Sequence, residues 1–349
     1  MGRVVLVTGA ATPLGAETAR RLVDDAAVAR VVAVDVVPPA ADLGGARFVR
    51  ADLRNPVMAE LLGVEGVDTV LHLTVAEPPA RAGSSRGERN VIGTMQLLAA
   101  CQRAAGVRSL VLSSSTGVYG ASPRDPAVFT EDTVARQLPR TGFAKDCAEN
   151  EGYLRGFARR RPDVAITVLR CADLLGAGVD GPLARYLRLP VVPTVLGFDP
   201  RLQVLHPDDA AAALARATVN DLEGTYNLAG DGAVTLTQLV RRLGRPSLPV
   251  PRGVGLLGQA MRRVAGAALP ADEAALLTYG RVVDTTALKE RFGLAPRWST
   301  PAAVADFGSF IGSGLLDPEC VQRVERALGA TVGAACAATA TGPRPTGGG

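Results

Sequence analysis

The strongest constraint on the fold is a rhythm in the first 180 residues. Six short runs rich in Val, Leu, Ile and Ala recur there: "RVVLVTG" (3–9), "RVVAVD" (30–35), "ARFVRAD" (46–52), "DTVLHL" (68–73), "RSLVLSS" (108–114) and "VAITVLR" (164–170). They lack polar alternation, so each reads as a strand buried on both faces, as parallel strands covered by helices are. Between them lie segments such as "NVIGTMQLLAACQRAAG" (90–106), whose apolar residues return at helical spacing. Strand–helix alternation predicts an α/β fold with a doubly wound parallel sheet and right-handed crossovers.

Past Gly176 the rhythm breaks. "PLARYLRLPVVPTVLGFDP" is punctuated by prolines, and no βαβ unit repeats after it. The reading is a cofactor domain over 1–180 and a smaller substrate-binding lobe over 181–330, with room for that lobe to lend elements back to the sheet. "GAACAATATGPRPTGGG" (333–349) is rich in small residues, Pro and Gly, so 331–349 is expected to be a disordered tail.

Composition narrows the partners. The net charge is +4 and the pI about 9.0, but the arginines are scattered and aromatics make up 4%. A nucleic-acid surface wants basic clusters interleaved with stacking aromatics, so no nucleic-acid partner is expected. The densest basic run, "RGFARRRPD" (155–163), reads as a solvated helix end. Cys101, Cys147, Cys171, Cys320 and Cys336 are far apart and form no C-x-x-C pair, which suits neither a zinc site nor a disulfide framework. A reducing cytosol is the simplest compartment, and the expected localisation is cytoplasmic. The chain opens directly on a core strand, so no signal peptide is expected. No apolar run reaches the roughly 18 residues needed to span a bilayer. The longest candidate, "GVGLLGQAMRRVAGAAL" from Gly253, is interrupted by Arg262 and Arg263 and reads as a packed surface helix. Two histidines, His72 and His206, exclude a histidine-rich metal site, and no metal is expected.

The first strand runs into "TGAATPLGAETARRL", with Gly9, Thr12 and Gly15. A strand, a glycine turn and a helix start bring backbone N–H groups and the positive helix end against a pyrophosphate. The usual fingerprint has glycine in the middle as well; here Thr12 stands there, a good N-cap ahead of Pro13. Its hydroxyl either caps the helix or reaches a phosphate. A purely structural turn is the alternative. Asp35 ends the second strand about twenty residues beyond Gly15, where a carboxylate accepts hydrogen bonds from the adenosine ribose. No arginine follows it in "DVVPPAAD", which favours NAD over NADP. Asp52, after the third strand, stands where a side chain contacts adenine, or where it caps the next helix.

Taken in order, "TGAATPLG", "AVD", "ADLRNP", "VLHLT", "RNVIGT", "LSSSTGVYG", the lysine helix and "LRCADLLG" resemble the extended short-chain dehydrogenase/reductases. The nearest likeness is to the NAD-dependent epimerase/dehydratase group, UDP-glucose 4-epimerase-like proteins included. "VLHPDDAAAAL", "GTYNLAGDGAVTL" and "VVDTTALKERFGLAPRWST" look like later landmarks of the group. The resemblance implies NAD as cofactor and a catalytic set of serine or threonine, tyrosine and lysine. The tyrosine takes the substrate hydroxyl proton while the lysine binds the nicotinamide ribose and lowers the phenol's pKa. Ser115 matches the serine and Lys145 the lysine, but Thr141 stands in place of the tyrosine. A threonine hydroxyl is too weak an acid to replace a phenol near pH 7. Tyr153 lies about 12 Å along the helix from Lys145 at 1.5 Å per residue, too far to help. Tyr119, four residues after Ser115, is the candidate substitute acid/base, with substrate lining or packing as its other readings.

The substrate side departs from the pattern too. Asp173 stands where the resemblance implies an asparagine that binds pyrophosphate. Leu202 stands where it implies an arginine, and Arg201 is one residue off, which on a strand reverses the side-chain face. Asn90 matches a family asparagine, or else ties down a helix. His72 and His206 read as structural. The leading expectation is an NAD-dependent epimerase/dehydratase-like oxidoreductase with an atypical centre, on a nucleotide-sugar. The alternatives are a non-catalytic NAD-binding sensor or partner protein, and a dehydrogenase of a hydrophobic, sterol-like alcohol. The resemblance also implies a homodimer built from the apolar faces of 90–106 and 143–158.

Overall fold

The computed structural model describes residues 2–74, 85–251 and 271–312. The apolar segment from Gly253, the tail over 331–349, Cys320 and Cys336 lie outside the described residues.

Six runs form the strands expected of them: β1 (Arg3–Thr8), β2 (Val28–Asp35), β3 (Arg47–Arg50), β4 (Thr69–Leu73), β5 (Ser109–Ser115) and β6 (Ala165–Cys171). The helices between them are α1 (Pro13–Val23), α2 (Val57–Glu65), α3 (Ser85–Arg103) and α4 (Gly142–Arg160). Beyond them come α5 (Pro182–Leu187), α6 (Pro207–Val219), a seventh strand β7 (Gly224–Leu228), α7 (Leu236–Arg242), α8 (Ala271–Tyr279), α9 (Thr286–Glu290) and α10 (Thr300–Ile311). The seven strands form one parallel sheet in the order β7-β6-β5-β4-β1-β2-β3. This is a doubly wound α/β sheet whose order reverses between β1 and β4.

The central strands feed both faces, which explains their apolar sequences; β3, expected to be buried like the rest, is an edge strand whose Arg47 and Arg50 are exposed. Val5, Val7, Val31, Ala33, Leu71 and Val111 belong to a cluster completed by Ala16 and Leu22 of α1 and Ala213 and Leu214 of α6. Their neighbours Leu6, Val32, Val70, Leu110 and Leu112 point the other way, onto Met58 and Leu62 of α2, Leu97 of α3 and Phe157 of α4. Residues beyond 180 return to this unit as α6 and β7, whose Leu228 sits beside Cys171 of β6. A further cluster, with Leu183, Tyr186, Leu239, Leu276 and Phe307, is built by α5, α7, α8 and α10.

No helix among the described residues is long and apolar enough to cross a membrane, and no group of His, Cys, Asp or Glu among them is arranged to hold a metal ion. Helices α3 and α4 pack on each other and leave Ile92, Met95 and Tyr153 about 40% exposed.

Candidate active site

The turn between β1 and α1 opens at the carboxyl edge of the sheet, beside the point where strand order reverses. Gly9 has φ +73°, a conformation side chains resist. A Cβ on Gly15 would lie 2.2 Å from the Gly9 carbonyl oxygen, so only glycine lets α1 approach β1 this closely. Thr12 is the N-cap of α1 and Pro13 its first residue. The Thr12 hydroxyl accepts from the Gly15 N–H at 3.0 Å and donates to the Gly9 carbonyl at 2.7 Å. It thus occupies an N–H that a glycine at this position would leave for an anion.

Asp35 holds the turn from the next strand. Its Oδ2 accepts from the Ala11 N–H at 3.0 Å and its Oδ1 from Val36 at 2.7 Å. The half-buried carboxylate faces the turn where a ribose would be held. Arg50 pairs with Asp35 across β2 and β3 and donates to the Val36 carbonyl at 2.9 Å. No sequence window around Asp35 shows this arginine; only the strand register does. Asp52 receives the Arg54 guanidinium on both carboxylate oxygens, at 2.6–3.1 Å.

The residues carried over from the family pattern, Ser115, Thr141 and Lys145, lie at the tips of β5 and α4. Ser115 ends β5 and accepts from the Gly117 N–H at 3.0 Å, capping the short helical turn Thr116–Tyr119. A Cβ on Gly117 would meet the Ala144 Cβ at 2.8 Å, so glycine here lets the serine turn lie against the start of α4, one residue before Lys145. Lys145 is 43% exposed, with its Nζ 3.4 Å from Glu149. Thr141 is the N-cap residue of α4, extended at φ −143°, and Gly142 follows it at φ +68°. Thr141 therefore lies outside the regular turns of α4, and its side chain makes no capping hydrogen bond to the helix.

Thr141 turns instead toward α8: its N–H and its hydroxyl both approach Asp272 Oδ2 at 3.3 Å. Next to Asp272 is Glu273, whose Oε2 is buried without a hydrogen-bond partner. Burial, then the nearby charges of Asp173 and Asp272, push the Glu273 carboxyl up to about 7. Arg281, three residues short of the "DTTALKERFG" landmark, ties these parts together. It is almost fully buried, pairs with Asp173 at 3.5 Å, and donates to Thr116 Oγ1 at 3.2 Å and to the Gly120 carbonyl at 3.1 Å. The sequence reading missed Asp272, Glu273 and Arg281 because nothing in α8 signals that it reaches the serine turn.

The structure places Tyr119, the candidate substitute acid/base, in the packed core. It is 1% exposed and stacks on Phe129 at 5.1 Å. Its hydroxyl donates to Asn227 Oδ1 at 2.7 Å and accepts from Arg170 at 2.8 Å, and burial raises its pKa. Arg170 in turn forms a buried pair with Glu151 at 2.8 Å. The phenol is a core strut between β6 and β7.

The remaining polar candidates also serve the frame. His72 bridges Thr8 and Thr94 at 2.7 Å each, and burial lowers its pKa to about 4. His206 caps α6 by accepting from Asp208 and stacks on Trp298 at 4.1 Å. Asn90 donates to Asp146 at 2.9 Å, joining α3 to α4. Arg201 is exposed and donates to the Ala127 carbonyl at 3.2 Å, while Leu202 is buried. A cavity of about 440 Å³ is lined by Arg201, Phe198, Tyr279, Phe129 and Arg281. Ser115, Thr141 and Lys145 do not line it, so Arg281 forms a wall between this cavity and the serine turn.

Comparison with known proteins agrees with this architecture. An uncharacterised protein of Mycobacterium tuberculosis (strain ATCC 25618 / H37Rv) is 45% identical over 338 residues, 94% of this chain and 89% of the relative. The UDP-glucose 4-epimerase of Thermotoga maritima, solved with UDP-glucose, superposes with a TM-score of 0.66 at 21% identity, over 88% of this chain and 98% of that one. A dTDP-glucose 4,6-dehydratase from Bacillus anthracis, solved with NAD, gives 0.67 at 17% identity, over 88% and 96%. Residues 5–229 match the family model described as the NAD dependent epimerase/dehydratase family. This chain belongs to the NAD-dependent epimerase/dehydratase family.

Proposed function

We propose that the protein is an NAD-dependent oxidoreductase acting on a secondary hydroxyl, with a nucleotide-sugar as the substrate class that family membership favours. The observation that carries this reading is the contact between Gly15 and Gly9, backed by Asp35 on the Ala11 N–H. That close-packed turn at the strand-order reversal fits a dinucleotide pyrophosphate and ribose. Gly9, Gly15 and Asp35 would hold NAD, Asp52 would border the adenine and Lys145 would reach the nicotinamide ribose. Bound there, the cofactor supplies reversible hydride acceptance; the chain's own task is to orient the hydroxyl beside Ser115 and to move its proton.

A second reading, a non-catalytic NAD sensor, is favoured by one observation: Thr141 stands in the tyrosine's place while Tyr119, the candidate substitute, is buried in the core. One experiment separates the two. The purified protein is denatured, released NAD and NADP are quantified, and the cofactor-free chain is titrated with each. Retained stoichiometric NAD supports a cycle that regenerates the cofactor in place. Weak, saturable NAD binding with no turnover across a panel of UDP- and dTDP-sugars supports the sensor. Binding of neither dinucleotide removes both.

A further inference from the structure

We propose that Arg50, at the end of β3, gives the adenosine end of the site a partner for a 2′-phosphate, so that the protein binds NADP as well as NAD. The proposal rests on the NAD-dependent oxidoreductase reading above. Its ground is strand register. Arg50 lies directly opposite Asp35 in the parallel pairing of β3 with β2. The Ala51 N–H donates to the Asp35 carbonyl at 3.0 Å, which holds that register to the end of both strands. Residues opposite each other in neighbouring strands carry their side chains on one face of the sheet, with backbones about 4.8 Å apart. Asp35 shows which face this is, because its carboxylate reaches the Ala11 N–H in the glycine turn. Arg50 therefore rises on the side of the sheet where the ribose would lie.

The charges around that position have different tasks. Arg54 is committed to Asp52, both of whose carboxylate oxygens receive its guanidinium. Asp35 accepts a backbone N–H on each oxygen, Ala11 on Oδ2 and Val36 on Oδ1. Arg50 is exposed and uses only its Nε, on the Val36 carbonyl at 2.9 Å. Its Nη1 and Nη2 carry no hydrogen bond among the described residues. The open side of the guanidinium is thus anchored at the residue that follows Asp35.

In dinucleotide-binding sheets an arginine near this carboxylate position accommodates a 2′-phosphate. The segment after Asp35 holds none, but the register supplies one from the next strand. A guanidinium presents two parallel N–H groups to two phosphate oxygens and stays charged at any working pH. Asp35 alone would repel a 2′-phosphate; the cation beside it offsets that repulsion at close range.

The test is made on the cofactor-free chain by isothermal titration with NAD and with NADP, as wild type, Arg50→Met and Arg50→Lys. Wild type is expected to bind the two dinucleotides within about tenfold of each other. Arg50→Met is expected to weaken NADP about tenfold, the size of one charge-assisted hydrogen bond, and to leave NAD within about twofold. Arg50→Lys keeps the charge without the fork and falls between them. The ratio of the two affinities is the readout, since a loss of fold would weaken both ligands together. NADP binding more than about tenfold weaker than NAD in wild type overturns the proposal, and so does an unchanged ratio in Arg50→Met. In either case NAD binding leaves the oxidoreductase reading standing. Binding of neither dinucleotide by wild type overturns both.

Discussion

Arg281 holds Asp173 at 3.5 Å while the same guanidinium donates to Thr116 and to the Gly120 carbonyl. One buried cation thus joins the serine turn after β5, the strand after β6 and the end of α8. These segments are more than fifty residues apart in sequence, and their meeting is what gives the site its second wall.

Arg281→Met keeps much of the volume and removes the charge. It leaves Asp173 near Glu273 without the guanidinium that pairs with it. Breaking a buried pair by losing one partner costs about 3 kcal/mol, and a drop of several degrees in thermal midpoint is expected by differential scanning calorimetry. Asp173→Asn in the same background recovers part of that loss.

The Thr12 hydroxyl occupies the Gly15 N–H. Thr12→Gly frees it for a phosphate oxygen, and replacing an N-cap threonine by glycine costs only a few tenths of a kcal/mol. The expected outcome is NAD binding tightened about tenfold, the equivalent of about one added hydrogen bond, with stability almost unchanged. Isothermal titration of both forms checks it; unchanged affinity would show that the hydroxyl already serves the ligand.

Tyr119→Phe separates a core strut from a catalytic group. It removes the hydroxyl shared by Asn227 and Arg170, leaving two buried groups short of a partner, at about 1–3 kcal/mol. Chemical unfolding is expected to show that loss, while NAD affinity stays within about twofold of wild type.

His72 predicts a pH dependence. Its pKa falls from 6.5 to about 4 in the folded state because burial disfavours the imidazolium. Between these values the unfolded chain binds the proton and the folded chain does not, so stability is full above about 6.5 and declines as pH falls toward 4. The span corresponds to about 3 kcal/mol. Urea unfolding at pH 7.5 and 5.0 should differ in that direction, and His72→Gln should flatten the difference.

The sheet was legible because its determinants are local. A parallel strand buried on both faces has to be apolar on both, so β1, β2, β4, β5 and β6 announce themselves, and Thr12-Pro13 marks the start of α1. The site was legible only where it is carried by one short segment. Gly9, Gly15 and Asp35 could be named from spacing, and Ser115 and Lys145 from the family resemblance. Thr141 was named as a substitution, but its hydrogen bonds to Asp272 come from a residue 131 positions away, which spacing does not reveal.

By itself the sequence determined the doubly wound sheet and the glycine turn beside it, because periodicity and residue type express these within a few turns of chain, and its likeness to the family marked Thr141 as standing in the tyrosine's place. Only the tertiary structure decided what surrounds the vacated position. It sends Tyr119 into the core, lays Arg50 across from Asp35, and brings Asp272, Glu273 and Arg281 against Thr141 and Asp173. The physical reason is range. A carboxyl's pKa and a guanidinium's partners are set by groups within a few ångströms in space, and here those groups come from segments that only folding brings together.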